Sequence, residues 1–589
     1  MCGFSFERLN NNQFCGVDDC VLSHRGPDYY GELILHNCCF RHWRLSIKDV
    51  SEGSHQPYKF KNLVMLFNGE IYNYKSLRVL LRNKGYIFET SGDTEIFLKG
   101  YDCFGVSFLG MVDGMFSVLI YDTQVDTTFI ARDKFGQKPL FYSISHDRFL
   151  VASELKVFSH EFGFNDLCKA SLNQLLTFGH TLPPLTLLSG VRSLLPGQFL
   201  VFDKAYSVLE SGNLNERLFS CKKEFSQSIT ILNVKDALIE SVNTMLDTDV
   251  KTGVFLSGGM DSGIITCIAK KYLNRSIDCL TYTGNGMSVN DNLGSREIAS
   301  HFNVNHYIIE DTQYDLNEKF LMFLKSVDSP SYDGFNTYLV SQAAAKLGYK
   351  AMLSGVGADE LFGGYPSFRY ERFYKFLNLN IDPLIDALSC DRKWTYFATG
   401  NRFKRYTKLR GFKSLESYGL DFSNYLGSLG FSLSQNSYLD TLLLETYGYM
   451  SLVLLRDMDQ FSMANSLELR APFISDNVVA LFDHLEFEKS FNLMGPKGVL
   501  RSIFEPDFPV NYFNKKKSGF ELNTDILMRE ASYDIKDLKE RFEQLGIIDH
   551  VDHLINRDKG NEIRKQANWM FLNQIYSFVE NHKVNALNN

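Results

Sequence analysis

The sequence predicts two folded parts in series. The first is an α+β domain built on mostly antiparallel sheet over residues 2–205. The second is an α/β domain over residues 231–589, with a doubly wound parallel sheet and a helical C-terminal part. Three observations predict this. Short β-like runs closed by turn signals fill the N-terminal third with few long helical patterns between them. Strand–turn–helix repetition takes over after residue 231, the sequence form of a doubly wound sheet. Between them, residues 206–230 are polar and aperiodic and read as a linker.

In chain order, Leu63–Phe67 runs into Asn68-Gly69, Met115–Ile120 into Tyr121-Asp122, and Gln198–Phe202 into Asp203, each an apolar run ended by turn residues. Lys235–Met245 is amphipathic. Gly253–Leu256 reads as a buried strand, followed by the Gly-rich Ser257-Gly258-Gly259 and an apolar helical run from Ile264 to Tyr272. Cys279–Tyr282 and Ala351–Leu353 are two further strands, and the last ~130 residues are helical in pattern.

The 589 residues amount to about four domains at ~150 each, reduced to two or three if the α/β unit is large. Sixty-one basic against 69 acidic residues leave a net charge of −8, which excludes a globally basic nucleic-acid coat. An apolar share of 44% and a charged share of 22% exclude wholesale disorder. The eleven cysteines are odd in number, scattered and without a CxxC pair, so neither a disulfide frame nor a structural zinc site is expected. A reducing compartment follows. With no basic-then-apolar leader and no run of ~18 apolar residues, the chain is expected to be cytoplasmic and not to enter a membrane.

Cys2 is followed by Gly3, and removal of Met1 would leave it with a free α-amine. Such an amine has a pKa near ~7.7–8.0 and can act as the thiol's own general base. A cysteine at position 2 is by itself weak evidence. His24-Arg25-Gly26-Pro27-Asp28, Arg44-Leu45-Ser46-Ile47, Gln56-Pro57, Asn68-Gly69-Glu70-Ile71-Tyr72-Asn73 and Ser91-Gly92-Asp93-Thr94-Glu95 then follow in order. Together these segments resemble the class II glutamine amidotransferases, specifically the asparagine synthetase type. The resemblance implies an N-terminal nucleophile sandwich (αββα) for the first domain. It makes Cys2 the nucleophile on the glutamine amide, with Asn68 and the Gly69 N–H as oxyanion hole. It makes Arg44, Leu45, Ser46, Ile47, Asn68, Gly69, Glu70 and Asp93 the glutamine site. In that site Arg44 would pair with the α-carboxylate, and Asp93 and Glu70 would hold the ammonium and amide ends. A side-chain amide and an unhindered glycine N–H are chemically suited to a developing oxyanion. The bland alternatives are a surface salt bridge for Arg44 and a turn residue for Asp93, and their joint order and spacing argue against both.

Leu256-Ser257-Gly258-Gly259-Met260-Asp261-Ser262 closes a strand and opens a helix without the lysine of a Walker A loop. Its glycines and helix N-terminus suit an anion. SGGxDS resembles the pyrophosphate loop of enzymes that split ATP into AMP and pyrophosphate, which implies that Asp261 is a Mg²⁺ ligand. Ser354-Gly355-Val356-Gly357-Ala358-Asp359-Glu360-Leu361-Phe362-Gly363-Gly364-Tyr365 resembles the family's second acidic segment. Asp359 would then be the second Mg²⁺ ligand. Leu256, Ser257, Gly258, Gly259, Asp261, Ser262, Thr283, Ser354 and Gly355 would line the ATP pocket. Arg456 to Phe473, Lys497-x-x-Leu500-Arg501 and Lys517-Ser518-Gly519-Phe520 match later family segments. By resemblance alone, Lys497 is the cation that stabilises the adenylated intermediate or its breakdown.

The implied activity is glutamine- and ATP-dependent conversion of a carboxylate, through an acyl-adenylate, to its amide. Val356 stands where asparagine-forming relatives often carry glutamate, and valine can neither coordinate, take a proton nor bond an amine. The acceptor is therefore aspartate or a related acid such as a sugar uronate. Residues 392–413 hold eight basic residues, six aromatics and no acid. They suit a solvated face, a phosphate-bearing acceptor or a homodimer contact, and nucleic acid least of all, given the acidic balance of the chain. Two alternatives to the amidotransferase remain: an amide-closing enzyme of the β-lactam-synthetase type, and a catalytically silent regulatory or nucleic-acid-binding protein on the same fold.

Overall fold

The computed structural model describes residues 2–9, 18, 20–145, 147–217, 231–284, 289–311, 313–369, 406, 422–431, 437–483, 496–514, 535–547 and 562–584. Apart from Tyr406, the basic-aromatic stretch 392–413 lies outside them, as does Lys517–Phe520.

Two six-stranded sheets form the N-terminal part. The first has the order Arg192–Ser193, Phe141–Ile144, Arg148–Ala152, Cys2–Leu9, Cys38–Arg44, Tyr29–Leu35, with every neighbour antiparallel. The second runs Val208–Asn213, Gln198–Phe202, Thr127–Arg132, Gly114–Asp122, Leu63–Ile71, Tyr58–Phe60, again antiparallel throughout. Strand side chains alternate between faces, so each sheet supplies two layers. Phe4, Phe6, Phe40, Val64, Leu66, Ile130 and Phe149 fill the space between the sheets. Leu63, Met65 and Phe67 point the other way, onto Leu77, Leu81, Ile96 and Phe97 of the helices Tyr74–Asn83 and Thr94–Phe104. Trp43, Leu150 and Ala152 on the outer face of the first sheet belong to a cluster with Leu155, Phe158, Leu172 and Leu175 of the helices Leu155–Phe162 and Lys169–Phe178. The layers are αββα. Cys2–Leu9 is buried along its whole length because it lies inside both its sheet and this stack.

The C-terminal part carries a five-stranded parallel sheet in the order Asn305–Asp311, Asp278–Gly284, Thr252–Phe255, Ala351–Leu353, Glu468–Arg470. Helices Ile231–Met245, Met260–Cys267, Val289–Phe302 and Phe335–Lys346 accompany it. Helices Leu455–Met463, Gly498–Phe504, Ile535–Gln544 and Glu562–Asn581 follow in the C-terminal stretch. None of the described helices is long and apolar enough to cross a membrane. The described cysteines are all free.

Six of the 17 described strands coincide with runs read as strands in the sequence, and three of the others lie outside the 2–205 region read as mostly sheet. Val208–Asn213 falls within the stretch read as an aperiodic linker and pairs with Gln198–Phe202. It is an outermost strand exposed on both faces over most of its length, so no hydrophobic alternation marks it. Asn305–Asp311 is also outermost, and Glu468–Arg470, with three residues, is too short to show a period.

Buried charge joins the two parts. The Arg25 side chain is fully buried and donates to the Cys2 carbonyl at 3.0 Å, to Glu154 at 2.9 Å and to Asp459 of the second part at 2.8 Å. Lys138 approaches the same Asp459 carboxylate at 3.3 Å. Asp328 accepts from the Leu155 and Lys156 N–H groups at 2.8 and 2.9 Å, so a residue of the second part caps a helix of the first. Burial alone would lower the Arg25 pKa, but Asp459 and Glu154 outweigh it and hold the guanidinium above its ordinary value. Removing one partner of such a pair strands a buried charge. Asp459→Ala is therefore expected to destabilise the chain by about 3 kcal/mol, read as a fall in the denaturant midpoint. An unchanged midpoint would show that the interface does not need this pair.

Candidate active sites

The first site is built where Cys2 begins its strand. Cys2 pairs with Arg44 on one neighbouring strand, and its N–H donates to Asn68 Oδ1 at 2.9 Å from the other sheet. Asn68 is fully buried, and its Nδ2 donates to no acceptor among the described residues. A buried amide with one end on the Cys2 nitrogen and the other unspent leaves an N–H₂ donor at the thiol's own residue. Next to it, the strand Gly114–Asp122 crosses so closely that a Cβ on Gly69 would sit 2.2 Å from the Met115 carbonyl oxygen. Only glycine fits, and its N–H stays unhindered. Gln56 pins the preceding residue, accepting from Phe67 N at 2.7 Å and donating to Phe67 O at 3.0 Å.

Burial pushes the Cys2 thiol pKa up, while the chain's terminal charge, the Leu45 N–H and Arg44 pull it back. Glu70 and Asp93 are both buried and both raised, chiefly by desolvation. Asp93 accepts from Ile71 N at 2.8 Å, which ties the loop carrying it to the strand carrying Asn68 and Glu70. Arg44 is buried and donates to the carbonyls of Ser51, at 2.8 Å, and Asp49. Its fork is oriented by main chain. The Ser46 N–H donates to Asp28 at 2.7 Å. Leu45 and Ile47 differ from the other residues assigned to glutamine: their side chains form a small apolar cluster with Met463.

Sequence reasoning missed Asp49. Its carboxylate accepts from Ser51 N and Oγ at 3.2 and 2.5 Å, and from Ser91 and Gly92 N at 2.8 and 3.0 Å. It thus fastens the Arg44-anchoring loop to the loop of Asp93. No motif marks it, because the partners that make it a tie between loops are the main-chain groups of Ser91 and Gly92, more than forty residues away. Burial alone would raise its pKa, but the Ser51, Ser91 and Ser54 hydrogen bonds hold it at about 2.

The second site lies at the carboxyl ends of the parallel strands, where open α/β sheets bind ligands. Gly258 has φ +74°, and the helix starting at Met260 is capped by Gly259. Ser262 Oγ sits 3.2 Å from both Ser257 N and Ser257 Oγ, and Gly259 N donates to Ser257 Oγ at 3.3 Å. Leu256 N bonds Leu280 O at 2.9 Å, holding the loop's first residue to the strand that carries Thr283. A Cβ on Gly355 would meet Asp261 Cβ at 2.8 Å, so the Ser354-Gly355 turn packs directly on the first loop. The Lys497 ammonium lies 2.6 Å from Asp261 Oδ1 and 2.6 Å from Asp359 Oδ1. Burial alone would lower the Lys497 pKa, but the two carboxylates outweigh it and hold it above its ordinary value. Two carboxylates converging on one cationic centre are a hard-oxygen donor set of the kind Mg²⁺ takes. The residues present fit that ion.

Residues 1–211 match the family described as a glutamine amidotransferase domain, and residues 233–576 match the family described as asparagine synthase. The chain belongs to the asparagine synthase family. The chain is 29% identical over 534 residues to asparagine synthetase [glutamine-hydrolyzing] 1 of Bacillus subtilis, covering 85% of this chain and 82% of that protein. It is 30% identical over 366 residues to asparagine synthetase B of Escherichia coli, covering 59% of this chain and 60% of that one. It is 28% identical over 377 residues to amidase chry2 of Gibberella zeae, covering 59% and 55%.

Two expected outcomes test the first site. Asn68→Ala should lower the glutaminase kcat about 10²–10³-fold, the usual loss for one oxyanion donor. Unchanged turnover would exclude that role. Because the Asp49 pKa is depressed on folding, its tie is fully present above the ordinary carboxylate range of about pH 4 and is lost as pH falls through about 2. Protection of the Ser91 and Gly92 amides, relative to their intrinsic exchange at each pH, should fall over that window and stay constant in Asp49→Asn.

Proposed function

We propose that the chain is a glutamine-dependent amide-forming ligase in which Cys2 takes nitrogen from glutamine and the second site fixes it on a carboxylate activated by ATP. The observation that carries this reading is the pose of Asn68. Its oxygen holds the nitrogen that becomes the α-amine once Met1 is removed, and its unspent Nδ2 is left for the oxyanion. The amine would take the thiol proton, and the thiolate would attack the glutamine side-chain carbonyl. Asn68 Nδ2 and the Gly69 N–H would stabilise the tetrahedral oxyanion. Loss of NH₃ leaves a glutamyl thioester, which water converts to glutamate.

At the second site the carboxylate attacks the α-phosphate of ATP, giving acyl-AMP and pyrophosphate. Ammonia then displaces AMP to form the amide, releasing one proton. The Ser257–Ser262 loop and the helix N-terminus would cradle the pyrophosphate. Asp261 and Asp359 would hold Mg²⁺, which supplies charge neutralisation for the leaving group. Lys497, which pairs with both carboxylates, would supply a cation for the phosphate oxygens.

The acceptor is read as a carboxylic acid without an α-ammonium, such as a sugar uronate. Val356 supports this: it follows Gly355, which packs on Asp261, is half-buried and packed on the core, and presents no group that could pair with an amine. The relatives named as asparagine synthetases make aspartate the competing acceptor.

Cys2→Ala should abolish glutamine-driven amide formation and leave ammonia-driven formation largely intact, and equal loss of both would overturn the two-site scheme. Asp261→Asn should suppress pyrophosphate release by about 10²-fold or more over a panel of carboxylates. Within that panel aspartate should turn over more slowly than uronates, and fast aspartate turnover would return the acceptor to aspartate.

A further inference from the structure

We propose that Arg470, a residue of the second domain, is a positioning residue of the glutamine site in the first, acting on glutamine through Glu70. Its main chain belongs to the other site. Strand Glu468–Arg470 runs beside Ala351–Leu353, and the Arg470 carbonyl accepts from Ser354 N at 2.8 Å, at the start of the second acidic loop. Its side chain runs the opposite way. Nη1 donates to Met245 O at 2.7 Å and Nε to Glu468 Oε1 at 2.5 Å. Nη2 faces Glu70 Oε1 at 3.4 Å, an ion pair without hydrogen-bond geometry. The guanidinium carbon lies 5.9 Å from the centre of the Tyr72 ring, on the same Asn68–Asn73 segment. The whole side chain is 1% exposed.

A guanidinium in such a place is held by its anions, and they depend on it in turn. Desolvation raises the Glu70 pKa, and Asp93 and Glu468 push it further. Arg470 and the chain's terminal charge are the groups that oppose them. Two buried carboxylates side by side cannot both hold a glutamine ammonium and amide unless one cation stays nearby. Arg470 is that cation, and the second domain supplies it. The glutamine site is thus incomplete on the first domain alone. Among the described residues, Nη2 is also the one nitrogen of the guanidinium without a hydrogen-bond acceptor, so a small shift of Glu70 on binding glutamine would complete the set.

This inference rests on the glutaminase reading above, and its test separates the two. Glutamate release is measured on the full-length chain against glutamine concentration, with no acceptor present. Arg470→Met should raise the KM for glutamine about tenfold or more while kcat changes less than about threefold, and Arg470→Lys should recover part of the loss. In a Glu70→Gln background, adding Arg470→Met should raise KM by less than about twofold. Equal effects of Arg470→Met in both backgrounds, or a fall in kcat at constant KM, would overturn the role. If the methionine variant does not fold, Arg470→Lys carries the same comparison with and without Glu70→Gln. A wild-type chain with no glutaminase activity rejects the glutaminase reading itself.

Discussion

A guanidinium with no access to water must be fully paired, and Arg25 meets that demand only by drawing on both halves of the molecule. Its three donors go to the main chain of the Cys2 residue, to a carboxylate of the same domain and to a carboxylate on a helix of the other. The start of the first strand is therefore not positioned by its own sheet alone. Any movement of the helix Leu455–Met463 is felt where the thiol sits, because withdrawing Asp459 leaves a buried charge short of a partner. The apolar layers give the first domain its shape, and this ion network gives it its relation to the second.

The same logic recurs at the glutamine pocket and at the nucleotide loops. Glu70 and Asp93 are acids that desolvation tends to protonate, and Arg470 comes from across the boundary to oppose that. Asp261 and Asp359 repel one another until a cation lies between them, and Lys497 lies there. Each site concentrates like charge in a place of low polarity, and each is held together by a cation distant in sequence. Such clusters suit chemistry in which charge develops and moves, because groups fixed in advance need no reorganisation when it does.

Much of this was legible in the residue order. Apolar runs located the strands Leu63–Ile71, Gly114–Asp122, Gln198–Phe202, Thr252–Phe255, Asp278–Gly284 and Ala351–Leu353, although Asn68-Gly69 and Tyr121-Asp122, read as turns, lie inside the first two. Strands without such a run escaped: Val208–Asn213 is exposed over most of its length, Cys2–Leu9 is buried on both faces, and Glu468–Arg470 is shorter than any period. At the sites, Cys2, Asn68 and Gly69 were found from local motifs, and the structure brings them together. Asp49 could not be found, since a carboxylate that accepts from main-chain groups leaves no trace in the identities of its partners. Leu45 and Ile47 were read as glutamine contacts by resemblance, and the structure adds that their side chains pack with Met463.

Arg25 and Arg470 mark the division most clearly. Both lie inside segments whose order already carried the family resemblance, so the sequence by itself determined that there are two chemistries, a thiol at the chain's start and an acid-lined Gly-rich loop farther on. Local spacing suffices for that, because each segment's own motif carries its resemblance even though the segments of one site lie on different elements. Which charge answers which was decided only in three dimensions. Desolvation is a property of the packed interior, and a pairing across 434 positions, as between Arg25 and Asp459, has no local pattern to announce it.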